Sequence, residues 1–404
     1  MSASSQVQFL SRGSAPHVVT LVALAGVSAL SMNVFLPSLP SMSAYFSADY
    51  RLMQLSVALY LGVNAALQII VGPISDRYGR RPVILWALVL FCVATLGCII
   101  APTVEVFLAF RMTQAVIVAG MVLSRAVIRD MVPAEEAASM IGYVTMGMSL
   151  VPMAGPVIGG VLDEAFGWHA SFVLLLILGL VVLVLAWADL GETATSRTTS
   201  FRAQFRQYPE LLGSRRFWGY CAAAAFASGA FFSYLGGAPF VGTEVFGLSA
   251  ARLGLYFGAP AVGYALGNYV SGRYSTRIGI DRMILAGTVI STAGLAASTL
   301  LTLVGASSAE SFFAFVTFVG LGNGMVLPNA NAGMLSVRPH LAGTAAGLGG
   351  AIMIGGGAAL SAVAGALLGP DSDELPLQLL MLSTSVLSVL AIAYVRSRAR
   401  KVAA

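Results

Sequence analysis

An arginine set within an apolar run is the first residue in this sequence that calls for a chemical explanation. Arg111 opens the string Arg111-Met-Thr-Gln114, with a long hydrophobic stretch on the C-terminal side. A guanidinium at the centre of a lipid-embedded helix costs about 2.5–3.5 kcal/mol on insertion scales, so something must compensate it. Two readings are open: Arg111 and Gln114 form a polar centre that meets a bound molecule, or Arg111 hydrogen-bonds carbonyls of a neighbouring helix. Other polar side chains interrupt apolar runs at Asn33, Tyr60 and Asn64 in the first half and at Tyr234, Tyr264, Asn268, Asn329 and Asn331 in the second. Each either lines a cavity or makes an interhelical hydrogen bond worth about 0.6 kcal/mol. None of the 17 acidic residues falls mid-run. The nearest are Asp76 and Asp130 on one side and Glu105, Glu244 and Glu310 on the other. With no counter-ion beside Arg111, an anionic, zwitterionic or neutral polar molecule suits such a cavity better than a lipophilic cation.

The elements that must position these groups follow from composition. Of 404 residues, 58% are hydrophobic and 10% charged, where an ordinary soluble domain carries about 25% charged residues. So few charges cannot cover a water-facing surface, and the mean hydropathy of +0.86 points to lipid. Twelve spans are expected, at 18–37, 53–72, 82–101, 106–128, 138–161, 169–189, 217–238, 253–271, 283–304, 310–333, 342–367 and 376–395. Arginine placement orients them, since basic residues stay on the cytoplasmic side. With both termini cytoplasmic, only Arg51 and Arg252 fall in outer loops. The first segment reads as a retained helix rather than a cleaved signal. The net charge of +5 is explained by inner-face arginines, without a nucleic-acid partner. Cys92, Cys98 and Cys221 lie inside spans as packing residues, and the sequence carries no metal-binding or disulfide pattern. His17, His169 and His340 lie at span ends, where solvation or capping is expected.

The longest polar stretch, residues 191–216, divides the chain into bundles at 1–190 and 217–395, followed by a cytoplasmic tail at 396–404. The halves are related: Gly72-Pro-Ile-Ser-Asp76-Arg77-Tyr-Gly79 recurs in part as Gly272-Arg-Tyr-Ser-Thr276-Arg277-Ile-Gly279. Parallel six-span repeats with a site between them are an established membrane design. In the first copy the string continues through Arg80, Arg81 and Pro82. It reads as a loop whose glycines let helix ends approach, whose Asp76 pairs with an arginine, and whose Arg80 and Arg81 hold it at the inner surface.

That loop resembles the loop 2-3 signature of the major facilitator superfamily. Arg111-Met-Thr-Gln114 is similar to the superfamily's span-four motif, where the arginine takes part in substrate or proton handling. Pro152-Met-Ala-Gly155-Pro156-Val-Ile-Gly159-Gly160 resembles the span-five motif of its exporters, so this helix should be bent and tightly packed. Asn33-Val-Phe35-Leu36-Pro37-Ser38-Leu39-Pro40, Arg125-Ala-Val-Ile-Arg129-Asp130, Gly167-Trp168 with Phe172, Pro328-Asn329-Ala-Asn331, and Ala342-Gly343-Thr344-Ala345 resemble the Bcr/CflA group of bacterial drug/proton antiporters. The resemblance spans nearly the whole chain. It implies an all-α integral membrane fold of twelve helices in two six-helix bundles, a monomer in the bacterial inner membrane. It also implies alternating-access export of a small drug or metabolite, no cofactor, and a proton gradient as energy source. Asp76 with the arginines around it, including Arg77, Arg80, Arg81, Arg125 and Arg129, would act as an inter-bundle latch.

One departure bears on mechanism. The group carries aspartate where this chain has Asn33, and commonly tyrosine at Phe35. An asparagine cannot exchange a proton near neutral pH. Either coupling has moved to Asp76, Asp130 or a rim acid, or the chain is a metabolite carrier with weak or no proton coupling. A membrane-embedded enzyme or receptor is disfavoured, because no intramembrane His cluster, paired acids or large external domain is present in the sequence.

Overall fold

The computed structural model describes residues 9–12, 16–131, 151, 154–194, 208–338, 341–369 and 372–403. Lipid offers no hydrogen-bond partners to a backbone, which leaves helices as the spanning structure for a chain of this composition. Among the described residues, ten helices are long and apolar enough to cross a membrane. They are α1 (Val18–Tyr45), α2 (Tyr50–Tyr78), α3 (Arg80–Ile99), α4 (Val104–Met131), α6 (His169–Asp189), α7 (Arg215–Val245), α9 (Ile280–Leu303), α10 (Ala309–Val337), α11 (Ala342–Leu367) and α12 (Leu375–Ala403). Between them, α5 is helical at 154–166. Residues 138–150 and 152–153 of the expected fifth span, Pro152 among them, lie outside the described residues. The eighth expected span is helix α8, Gly258–Ile278, long enough to cross but more polar because it holds Asn268, Arg273 and Arg277. Within the linker, Tyr208–Leu212 forms a short helix, and Arg197, Arg202 and Arg206 lie outside the described residues, as does His340.

Helices α1 to α4 and α6 pack as one bundle, α7 to α12 pack as another around α7 and α10, and α2 also lies along α11 across the two. The two-bundle, twelve-helix architecture read from the sequence is the architecture of the molecule. The internal repeat is visible in backbone geometry. Gly79 and Gly279, 200 residues apart, both end a helix with positive φ (99° and 90°). Each donates its N–H to a serine carbonyl four residues back, Ser75 and Ser275, at 2.9 Å. At the opposite end Ser47 (φ 50°) and Gly247 (φ 63°) repeat the correspondence. Asp49 then caps α2, and Ser249 caps the short helix Ala250–Tyr256 that leads into α8.

Several expectations are corrected. The string Gly72 to Tyr78 is the last part of α2 and not a loop; the connection to α3 is the single residue Gly79. Pro73 does not stop the helix, and the left-handed turn at Gly79 does. Nor does Gly72 mark a close approach, because a Cβ there meets nothing within 4 Å; the same holds at Gly272. The first span continues past 37 to Tyr45 through a tight 3-10 turn at Leu36–Ser38, where Pro37 lacks an N–H to give to the helix. In α5 the close packing expected of the glycines is present. A Cβ on Gly159 would fall on the Val34 carbonyl of α1, and one on Gly160 would fall on the Ala250 carbonyl.

Alanine at 79 or 279 would force a side chain into backbone space almost exclusive to glycine, at about 1–3 kcal/mol. At Gly79 the new Cβ also strikes the Glu192 carboxylate, whereas at Gly279 it meets nothing. Thermal melts in detergent should therefore rank Gly79→Ala below Gly279→Ala. In contrast, Gly72→Ala should stay within about 0.5 kcal/mol of the native chain.

Candidate functional site

A cavity of about 290 Å³ lies between the bundles, lined from α1, α4 and α5 on one side and from α7, α8, α10 and α11 on the other. Its wall is mainly apolar: Met32, Met121, Phe231, Phe232, Leu235, Phe257, Pro260, Met353 and Ile354. Five polar residues interrupt it, namely Asn33, Arg125, Ser228, Tyr264 and Asn323, and no carboxylate is among the lining residues. The Asn33 amide donates to its own helix at the Ala29 carbonyl, 3.2 Å. Asn323 is 4% exposed. Its Oδ1 accepts no hydrogen bond from any described group. The flanking glycines fix it: Gly322 lies against Gly287 of α9, and Gly324 against Tyr264 and Asn268 of α8. Arg125 makes no ion pair with a carboxylate among the described residues, and Arg129 and Tyr264 act on it electrostatically. At an effective dielectric near 20, a unit charge about 5 Å from such a guanidinium gains or loses about 3 kcal/mol according to its sign.

Arg111 sits behind this wall, not in it. Its side chain is fully buried. Nη2 donates to the Ser31 carbonyl (2.8 Å), Nη1 to Ser31 Oγ (3.3 Å) and to Gln114 Oε1, and Nε to the Ser56 carbonyl (3.4 Å). The rings of Tyr60 and Phe35 lie 3.9 and 4.4 Å from the guanidinium carbon, supplying cation-π contact on its faces. Gln114 passes the network on by donating to Thr95 Oγ1 at 2.7 Å. Of the two readings left open, hydrogen bonding to neighbouring helices describes what Arg111 does in this structure. It joins α1, α2 and α4 into one unit.

The arginine-rich end of the first bundle is a second polar cluster. Arg80 forms ion pairs with Asp76 and, at 3.0 Å, with Asp130 of α4. The Glu192 carboxylate accepts from the Arg80 N–H (2.9 Å) and the Arg81 N–H (3.3 Å), capping the start of α3. Arg81 Nε donates to the Leu190 carbonyl at 2.7 Å. Arg77 and Arg129 are exposed. The two ion pairs of Arg80 lie within one bundle.

The opposite, arginine-poor end joins the bundles. Gln54 of α2, buried, donates to the Ser361 carbonyl (2.6 Å) and Oγ (2.9 Å) of α11. Tyr50 Oη donates to the Gly236 carbonyl (3.1 Å), Arg51 Nε to the Leu368 carbonyl (3.1 Å), and the Ala251 N–H to Glu164 Oε2 (3.2 Å). Gly236 and Gly365 leave the room Gln54 occupies, since a Cβ on either would strike its side chain. This clasp was not singled out in the sequence, although Gln54 is a polar residue inside an apolar run like those that were. Asn323, framed by glycines in α10, was passed over in the same way.

Of the residues expected around a cavity, Asn33 and Tyr264 line it. Tyr60 donates to Ser31 Oγ (3.3 Å) beside Arg111, and Asn64 accepts from Gln68 (2.8 Å). Asn268 donates to the Tyr264 carbonyl (2.9 Å), and Asn329 ties α10 to Ser271 of α8 (2.8 Å). Tyr234 is buried among Phe231, Phe257 and Phe313, and Asn331 is exposed outside the lining. Gly155 and Pro156 bring α5 beside Leu30 and Gly254, and Pro156 reaches the cavity wall. His17 caps α1, its Nδ1 accepting from the Val19 N–H at 3.3 Å.

The sequence profile described as Major Facilitator Superfamily matches residues 21–396. An uncharacterized MFS-type transporter, YdgK, of Bacillus subtilis is 29% identical over 377 residues, covering 91% of this chain and 92% of its own. A bicyclomycin resistance protein homolog of Haemophilus influenzae is 26% identical over 388 residues, covering 94% and 96%. Multidrug resistance protein D of Escherichia coli is 26% identical over 379 residues, covering 92% and 94%. The crystal structure of a bacterial homolog to the human lysosomal transporter Spinster, inward-facing and occupied, superposes with a TM-score of 0.72 at 18% identity over 95% of this chain and 96% of that one.

Removing the Arg111 guanidinium strands the acceptors it serves in a fully buried site. Arg111→Met should lower stability in detergent by about 3 kcal/mol, read as a fall in melting midpoint. Asn33→Ala, whose amide nitrogen bonds within its own helix, should change it by less than about 1 kcal/mol.

Proposed function

The chain belongs to the Major Facilitator Superfamily, and we propose that it exports small amphipathic organic compounds, drugs or metabolites, by exposing one cavity alternately to either side of a membrane. It is a multi-pass transporter and not an enzyme. The observation that carries the reading is the cavity itself, which both bundles line and whose described inter-bundle hydrogen bonds all lie at one end. Relatives named for bicyclomycin, chloramphenicol and multidrug resistance support drugs as a substrate class. The arginine-rich end faces the cytoplasm of a bacterial inner membrane, with both termini there. The bundles at 1–190 and 217–395, linked through 191–216, rock as units, and the protein works as a monomer without a cofactor.

A proton gradient supplies the energy in this reading. With no carboxylate in the cavity lining, coupling runs through acids outside it. Asp76 and Asp130 share Arg80, so protonation of either changes how the turn at Gly79 is held to α4. A second reading, a carrier with weak or no proton coupling, is favoured by Asn33, an amide facing the cavity. Proteoliposome flux with and without an imposed pH gradient separates the two. Coupled export predicts accumulation only with the gradient and its loss in Asp130→Asn; gradient-independent exchange selects the second reading.

Alternation predicts that the clasp must open in every cycle. In a chain carrying both Gln54→Cys and Ser361→Cys, oxidation should stop transport in everted vesicles and reduction should restore it. The native cysteines are buried, which keeps them apart from the oxidant. Undiminished transport by the crosslinked protein would contradict alternation.

A further inference from the structure

The polar groups of the cavity bear on which compounds it prefers. The guanidinium of Arg125 faces the cavity with no described carboxylate to neutralise it, and Arg129, one turn along α4, adds to the same field. From the other bundle Asn323 presents an amide whose Oδ1 is buried and unpartnered. Between these two groups the wall is aromatic and aliphatic, with Phe231, Phe257 and Met353 prominent. An unpaired cation repels cationic guests and attracts anionic ones, and a buried acceptor without a donor favours a guest that brings one.

Resting on the export reading, we propose that the cavity selects aromatic compounds bearing an acidic group and an N–H or O–H donor. Arg125 pairs with the acid, a flip of the Asn323 amide brings its unpartnered Oδ1 to the donor, and permanent lipophilic cations are excluded. Arg125 is thus a specificity-determining residue of the substrate site, beyond any part it takes at the end of α4. Asn33 complements this division, because the amide places no negative charge opposite the guanidinium.

The test uses the full-length protein in nanodiscs and four naphthalene probes that differ in one group each: 2-naphthoylglycine, its primary amide, the analogue with trimethylammonium in place of the carboxylate, and 2-naphthoylsarcosine, which lacks the N–H. Wild type should bind the carboxylate at least tenfold more tightly than the trimethylammonium compound, with the neutral amide between them. Arg125→Gln should collapse that ratio to near unity, and Arg125→Lys, which keeps the charge, should retain most of it. Asn323→Leu should abolish the preference for the N–H compound over the sarcosine while leaving the charge ratio intact. Equal binding of cation and anion by wild type, or a ratio unmoved in a folded Arg125→Gln protein, overturns the proposal, as does failure of all four probes to bind. Uptake of the same probes into everted vesicles keeps the two readings distinguishable. Transport without charge preference sinks the selectivity and leaves export standing, whereas tight selective binding without transport sinks export and leaves the selectivity standing.

Discussion

The two bundles pack together along α2 and α11, and their described hydrogen bonds lie at one end only; the behaviour of the molecule depends on that one-ended clasp. Tyr50, Arg51 and Gln54 of α2 reach main-chain carbonyls of α7 and α11, and Glu164 accepts from Ala251. A hydrogen bond contributes about 0.5–1.5 kcal/mol net, so such a clasp is worth several kcal/mol. Moving a two-state equilibrium from 1:99 to 99:1 takes about 5.5 kcal/mol. The hydrogen-bonded part of the contact is therefore of a size that the binding of a molecule can offset. Acceptors that are backbone carbonyls suit this role, because they can return to helical or water-mediated bonding when the clasp parts.

Such a hinge is useful only if each bundle moves as a unit. Arg111 supplies that rigidity in the first bundle. Its N–H groups tie α1 and α2 to α4, Gln114 extends the tie to Thr95 of α3, and two aromatic rings cover the guanidinium. The arrangement meets the cost of a buried charge locally, so the charge is not left to act in the cavity. At the arginine-rich end Arg80, Arg81 and Glu192 do similar work by binding the start of α3 to α4, α6 and the beginning of the linker. The cavity then owes its electrostatics to Arg125, which no described acid offsets.

Much of this was legible in the sequence because lipid imposes strong regularities. The twelve spans followed from apolar length, and the repeat followed from Gly72 to Gly79 against Gly272 to Gly279, whose terminal glycines share one backbone conformation. Less legible was anything decided by the direction in which a side chain points. Arg111 and Arg125 lie four turns apart on one helix, and nothing local distinguishes the one satisfied inside a bundle from the one facing the cavity. Asn323, Asn329 and Asn331 sit in a single helix, yet only Asn323 lines the cavity. Gln54 acquires its role from α11, some three hundred residues away. Helix ends were misread where positive φ at glycine, and not composition, sets the stop, as at Gly79.

The central claim is that the bundles rock about the cavity so that its two ends open in turn. Residues equivalent under the repeat give a direct readout: Ala44 with Glu244 at the arginine-poor end, and Tyr78 with Ile278 at the arginine-rich end, all exposed. Spin labels on each pair, with distances measured by pulsed electron paramagnetic resonance before and after adding a transported compound, report both ends of the same protein. The account predicts that one distance lengthens as the other shortens. Transport proceeding while both distances stay fixed, or while both move in the same direction, would contradict it.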